Sequence, residues 1–209
     1  MPSSFNTGII VPVLKKATLN PNEPSNYRPI TLSSVFSKIA EMIMVPEDRV
    51  HDNQFGFRPG RSTSICCAFL NDILSYFVAG KSPVFIATLD AEKCFDLIWH
   101  NGLFYKLWNH VPVEHWLFLF KWYSMLEGLV KWNGAYSQSF SITRGTRQGS
   151  VISPFLFNIF LNDLLIQLDE SKSGLGIGNN KFNSFAYADD VTLFSATIKI
   201  GRASCRERV

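Results

Sequence analysis

Asp189 and Asp190 stand side by side in the stretch FAYADDVTLF at 185–194, between two short apolar runs. Adjacent carboxylates repel each other, and a chain keeps them together where a bound cation offsets the repulsion. The alternative is a polar Asp-Asp turn between strands. A third carboxylate, Asp90, directly follows the apolar run VFIATL at 84–89. A lone Asp in that place commonly caps a helix, but Asp96 already suits the start of a helix over 97–108, which frees Asp90 for another role. Three carboxylates converging on a sheet can hold two Mg²⁺ ions about 3.5 to 4 Å apart, clamping the attacking and leaving oxygens of a phosphoryl transfer. No side-chain nucleophile is then needed.

The elements that must position these groups mix strands and helices. Residues 8–14 read as a strand, followed by Lys15 and Lys16, then a loop rich in Asn and Pro. A second extended run covers 27–32, because Pro29 biases Arg28 away from helix. The two lysines and Arg28 lie near this strand-loop-strand unit, where they either reach an anionic ligand or form a solvated surface. Ser33 or Ser34 can cap a helix carrying Val35, Phe36, Ile39 and Ile43 on one face.

In NQFGFRPGRST at 53–63, Gly56 and Gly60 permit unusual backbone, and Arg58 and Arg61 stand beside aromatic rings. That suits contact with a nucleic-acid backbone, and it equally suits a tight turn into a core helix bearing Ile65, Phe69, Ile73 and Phe77. The run at 84–89 is apolar on both faces and predicts a central buried strand. Phe95, five residues after Asp90, would crowd a ligand held there. Pro112 opens a helix with a core stripe at Val113, Trp116, Leu117, Phe120 and Tyr123. Asn133-Gly134 predicts a hairpin turn. The polar loop RGTRQGSVISP at 144–154 leads into a helix capped by Ser153 with Pro154 at its first position, and could meet a ligand through backbone donors and the Gln148 amide. Gly174, Gly176 and Gly178 mark a loop before the final hairpin, whose strands are predicted at 186–188 and 191–194 around an Asp189-Asp190 turn.

With 46% hydrophobic and 14% aromatic residues, the 209-residue chain is globular in character. No apolar stretch reaches the roughly 20 residues of a membrane span, and no secretory leader is visible. Cysteines at 66, 67, 94 and 205 show neither zinc spacing nor a disulfide framework and read as ordinary buried thiols in a reducing compartment. The last ten residues, IGRASCRERV, do not continue the strand pattern; they resemble a translated sequencing-library adapter, so 199–209 is expected to be a non-native tail. Those last ten residues hold three Arg and one Glu, so without them the formal charge falls from +3 to +1 and carries little information about partners.

In their order along the chain these motifs resemble reverse transcriptases of the non-LTR (LINE-type) retrotransposon branch. NYRPITLSSVFSKIAE at 26–41 and QFGFRPGRST at 54–63 are similar to fingers motifs. LDAEKCFD at 89–96, RGTRQGSVISPFLFNIFLNDL at 144–164 and FAYADD at 185–190 are similar to palm motifs. The resemblance implies an α+β right-hand polymerase fold with an antiparallel palm sheet packed on helices, fingers at 1–82 and palm at 83–198, with no thumb. It implies Asp90, Asp189 and Asp190 as catalytic, metal-binding carboxylates for Mg²⁺, with Mn²⁺ as a substitute. Phe95 would exclude a ribose 2′-hydroxyl, and Gln148 and Gly149 would line the nucleotide pocket. Arg28, with Lys15 or Lys16, would bind the incoming triphosphate, while Arg58, Arg61 and Tyr187 would contact nucleic acid. The implied partners are an RNA template, a DNA primer and dNTPs, without a membrane, in the nucleus and cytoplasm. Lacking a thumb, residues 1–198 are expected not to polymerise alone. The stretch 42–52, with Val45, Pro46 and Glu47, looks short for the family. The competing readings are a non-catalytic RNA-binding remnant or domesticated fold, a group II intron maturase, and a metal-dependent hydrolase.

Overall fold

The computed structural model describes residues 3–45, 50–171 and 174–197. Pro46, Glu47 and the tail at 199–209 lie outside the described residues. In chain order the elements are α1 (Ser3–Asn6), β1 (Thr7–Leu14), β2 (Tyr27–Leu32), α2 (Val35–Met44), α3 (Thr63–Ala79), β3 (Phe85–Leu89), α4 (Cys94–Leu97), α5 (His100–Leu107), α6 (Val113–Ser124), β4 (Glu127–Trp132), β5 (Ala135–Tyr136), β6 (Phe140–Ser141), α7 (Ser153–Glu170), β7 (Leu175–Ile177), β8 (Asn180–Phe182), β9 (Ser184–Tyr187) and β10 (Asp190–Ser195). They form two compact units, one of residues 1–47 and 93–160, the other of residues 48–92 and 161–209. These units interleave along the chain, whereas the expected fingers and palm division cuts it once, after residue 82. Among the described residues no helix is long and apolar enough to cross a membrane.

The first unit is built on a mixed sheet in the order β2-β1-β4-β5, with β6 also on β4. β1 and β2 pair antiparallel from Ile9↔Leu32 to Leu14↔Tyr27, and β1 runs parallel to β4. Asn133 and Gly134 take φ of 47° and 83°, the double left-handed turn that the Asn-Gly signal predicts between β4 and β5. Ser34 caps α2 by accepting the Ser37 N–H. The apolar side of α2 faces outward: Phe36 is 70% and Ile43 67% exposed, while Ser37 and Glu41 are buried. The predicted stripe on α6 is rotated too. Leu119, Trp122 and Tyr123 are buried and Val113, Leu117 and Phe120 exposed, because a helix apolar nearly all round leaves its period without a preferred face. Ser153 lies inside α7 rather than before it. The helix predicted over 97–108 is broken into α4 and α5, and α5 has no side-chain cap.

The second unit is a three-stranded antiparallel sheet, β3-β10-β9, with helices on both faces. Strand alternation sends Phe185 and Phe194 into a cluster with Cys66 and Ile73 of α3, and sends Ala186, Val191 and Leu193 into another with Leu165 and Leu168 of α7. Ser62 caps α3 by accepting the Ile65 N–H at 3.3 Å. Three expectations are corrected here. Among the described residues β3 pairs only with β10, which makes it an edge strand, and its Phe85, Ile86 and Leu89 are exposed. The glycine stretch at 174–178 is a short hairpin, β7–β8, with Gly176 in a strand. Cys67 is exposed, not buried, since it lies one step around the helix from buried Cys66, whose thiol burial pushes up in pKa.

Candidate active site

β10 pairs Val191 with Leu89 of β3 and Asp190 with Tyr187 of β9. Continuing the first register by one residue brings Asp190 and Asp90 to the same edge of the sheet. The hairpin loop is therefore Ala188-Asp189, one residue earlier than the predicted turn, and Asp190 is the first residue of its strand. Asp90 and Asp190 are exposed and Asp189 is half-buried. The Asp190 carboxyl titrates above the ordinary aspartate range, first through partial desolvation and then through the charges of Asp189 and Asp90. Among the described residues, none of the three takes part in an ion pair. Nor, among those residues, do three His, Cys, Asp or Glu side chains close into a metal-holding group. The three side chains offer carboxylate oxygens alone, the donor chemistry that suits a hard divalent cation.

A raised folded pKa makes the Asp190 contribution favour folding below the ordinary aspartate pKa, and that contribution is lost as pH rises through the folded value. Asp190→Asn should accordingly remove a fall in melting temperature that the wild-type chain shows as pH rises above the ordinary aspartate pKa of about 3.9, read by circular dichroism.

Ala188 has a φ of 56°, which costs an L-residue of order 1–3 kcal/mol and persists only where its surroundings hold it there. What holds it is Gln54. Its side chain is fully buried; Oε1 accepts the Ala188 N–H at 3.0 Å and the Gly56 N–H at 2.8 Å, and Nε2 donates to the Ala188 carbonyl at 3.2 Å. Residues 53–55 run along the free edge of β9, where Asn53 O accepts the Ala186 N–H and the Phe55 N–H reaches Ala186 O, both at 2.8 Å. A Cβ on Gly56 would lie 2.1 Å from Ala188 N, so only glycine fits.

Arg58 and Arg61 brace this same loop. Arg58 Nη1 donates to the His51 carbonyl at 2.9 Å, and Arg61 donates to the backbone and carboxylate of Asp52 while its guanidinium lies 5.0 Å over the Phe55 ring. A phosphate contact would have to use the donors left over. Tyr187 is half-buried and packs against the cluster on the α3 side of the sheet.

The other expected residues belong to the first unit. Arg28 pairs with Val13 at one end of the β1–β2 hairpin, the end from which Lys15 and Lys16 follow, and all three are exposed. Among the described residues none of them meets a carboxylate. Phe95 stacks on Phe157 with ring centroids 4.4 Å apart. Gln148 Nε2 donates to Asp96 Oδ1 at 2.8 Å, so Asp96 is not the helix cap that was expected but an anchor for this amide. The Gln148 carbonyl accepts the Thr31 N–H at 2.7 Å, and Gly149, at φ 104°, would place a Cβ 3.0 Å from Thr31 O. The Gln-Gly pair is thereby locked to β2.

Arg147, buried beside them, was missed in the sequence. It donates to the Phe5 carbonyl at 3.1 Å and lies 5.3 Å over the Trp122 ring. Burial lowers its pKa and raises that of Tyr123, while Glu41, equally buried, receives the Val151 N–H at 2.7 Å. No spacing rule marks Gln54 or Arg147, because their roles come from partners over a hundred residues away.

An antiparallel sheet with helices on both faces and carboxylates on its central hairpin defines a right-hand polymerase fold. Solved structures agree: apo telomerase from Candida Tropicalis, truncated from its C-terminal domain, superposes with a TM-score of 0.64 over 99% of this chain and 46% of that one, at 13% identity. The chain belongs to the reverse transcriptase (RNA-dependent DNA polymerase) family, whose profile matches residues 13–207. Within it the chain falls with non-LTR retrotransposon polymerases. It is 31% identical over 149 residues to the Drosophila melanogaster protein named "Probable RNA-directed DNA polymerase from transposon BS", covering 68% of this chain and 16% of that protein. It is 28% identical over 179 residues to the Pol polyprotein of a type-1 retrotransposable element R2 from Popillia japonica, covering 81% and 25%. The chain thus spans a quarter or less of these relatives. Reverse transcriptases as a class depend on divalent metal.

Proposed function

We propose that this chain is the catalytic core of an RNA-directed DNA polymerase, which joins a dNTP to a primer 3′-hydroxyl on an RNA template. The register that brings Asp90 and Asp190 to one sheet edge, with Asp189 in the adjoining loop, carries this reading. Asp90, Asp189 and Asp190 would hold Mg²⁺, which supplies activation of the hydroxyl and neutralisation of the triphosphate. The chain's own carboxylates set where that charge is placed, and their mutual repulsion gives a cation a favourable place to bind. Arg28, Lys15 and Lys16 carry exposed positive charge for a triphosphate. Phe95, backed by Phe157, offers a rigid ring for excluding a 2′-hydroxyl. Gln148 and Gly149 serve the nucleotide pocket, with fingers at 1–82 and palm at 83–198. Telomerase from Candida Tropicalis has been solved with a fragment of telomeric RNA, which supports RNA as the template class.

Titrating the 209-residue chain with Mn²⁺, followed by electron paramagnetic resonance, tests the core of this. Asp90→Asn, Asp189→Asn and Asp190→Asn should each weaken binding at least tenfold. Equal affinity in all four proteins would overturn the assignment.

A further inference from the structure

We propose that Gln54 is a positioning residue for the carboxylate hairpin: its buried amide fixes the Ala188-Asp189 turn and thereby sets the affinity of the chain for a divalent cation. The inference rests on the metal reading above and goes beyond it. Both peptide groups flanking the Ala188 Cα are engaged by one side chain, the N–H by Oε1 and the carbonyl by Nε2. A two-residue hairpin loop ordinarily leaves such groups to water; here they are read by an amide with no solvent exposure.

The amide is itself immobilised. Its Oε1 takes a second hydrogen from Gly56, and its backbone neighbours are laddered to Ala186. Arg58 and Arg61 tie the same loop to His51 and Asp52. Gly56 leaves no gap on that side, since its Cα approaches Ala188 too closely for any side chain. Asp189 directly follows Ala188, and Asp190 follows Asp189, so freedom at Ala188 becomes freedom in two of the three carboxylates. A residue that only filled space could be replaced by Met without consequence for the turn. A residue that grips the turn could not.

Amide hydrogen exchange by NMR and Mn²⁺ titration by electron paramagnetic resonance, on the 209-residue chain, separate these cases. In the wild-type chain the Ala188 amide should exchange as slowly as the sheet amide of Ala186. In Gln54→Met, Ala188 should exchange at least tenfold faster while Ala186 keeps its rate, and Mn²⁺ affinity should fall at least tenfold. If that variant does not fold, Gln54→Asn, whose amide is one methylene short, should show the same two changes. Fast wild-type exchange at Ala188, or Mn²⁺ affinity within twofold of wild type in a folded variant, would overturn the proposal. A wild-type chain that bound no Mn²⁺ would remove the metal reading and, with it, the claim on affinity; slow exchange at Ala188 would still support the grip on the turn.

Discussion

Gly56→Ala should destabilise the protein by about 3 kcal/mol, the upper end of the cost of overpacking, and abolish measurable divalent-metal binding. The added methyl would stand 2.1 Å from Ala188 N and 2.8 Å from Ala188 Cα, and backbone atoms cannot swing aside as a flexible side chain can. Either the loop at 53–56 or the hairpin loop must move. Each movement breaks hydrogen bonds of Gln54, leaving a buried amide or the peptide groups of Ala188 unsatisfied, at a further cost of about 1–3 kcal/mol for each group. Urea unfolding reads the first effect and Mn²⁺ titration the second. Gly60, left-handed where Gly56 is not and with open space where a Cβ would go, is the control: Gly60→Ala should cost about 1 kcal/mol through its φ of 72° and leave metal binding intact.

Arg147→Leu should cost about 3 kcal/mol without any carboxylate of the site being touched. Arg147 is only 5% exposed, and its charge interacts with that of Glu41, which is 2% exposed. Removing the cation leaves that carboxylate buried without its compensating charge, and removes the hydrogen bonds to Phe5 and Ser33. The double variant Arg147→Leu/Glu41→Gln should recover at least about 1 kcal/mol of the loss, because the stranded charge is then gone. Urea unfolding of the four proteins completes the cycle, and simple additivity would show that the two groups do not interact.

The local chemistry of the chain was largely readable. Pro29 places β2, Ser34 and Ser62 cap their helices, and Asn133-Gly134 forms its hairpin, because each signal acts within a few residues. The placement of the carboxylates along the sheet has the same local origin: Asp189 and Asp190 are adjacent and Asp90 directly follows β3. What distant packing decides was not. The arginines of the FGFRPGR stretch have the composition of a phosphate-binding loop, yet they turn back on His51 and Asp52. Gln54 looks like any polar residue before an aromatic until Ala188 is brought to it. α2 is capped by Ser34, one of the two serines the sequence offers, but its apolar side is outward while Glu41 has a buried partner in the Val151 N–H. β3 reads as a central strand and proves to be an edge, since hydrophobicity reports the faces of a strand and not the number of its neighbours.

Locating Mn²⁺ by anomalous scattering in crystals of the 209-residue chain tests the central claim most directly. The account predicts an anomalous peak bounded by carboxylate oxygens of Asp90, Asp189 and Asp190, lost in Asp189→Asn. Manganese bound elsewhere, with that sheet edge empty at saturating metal, would contradict it.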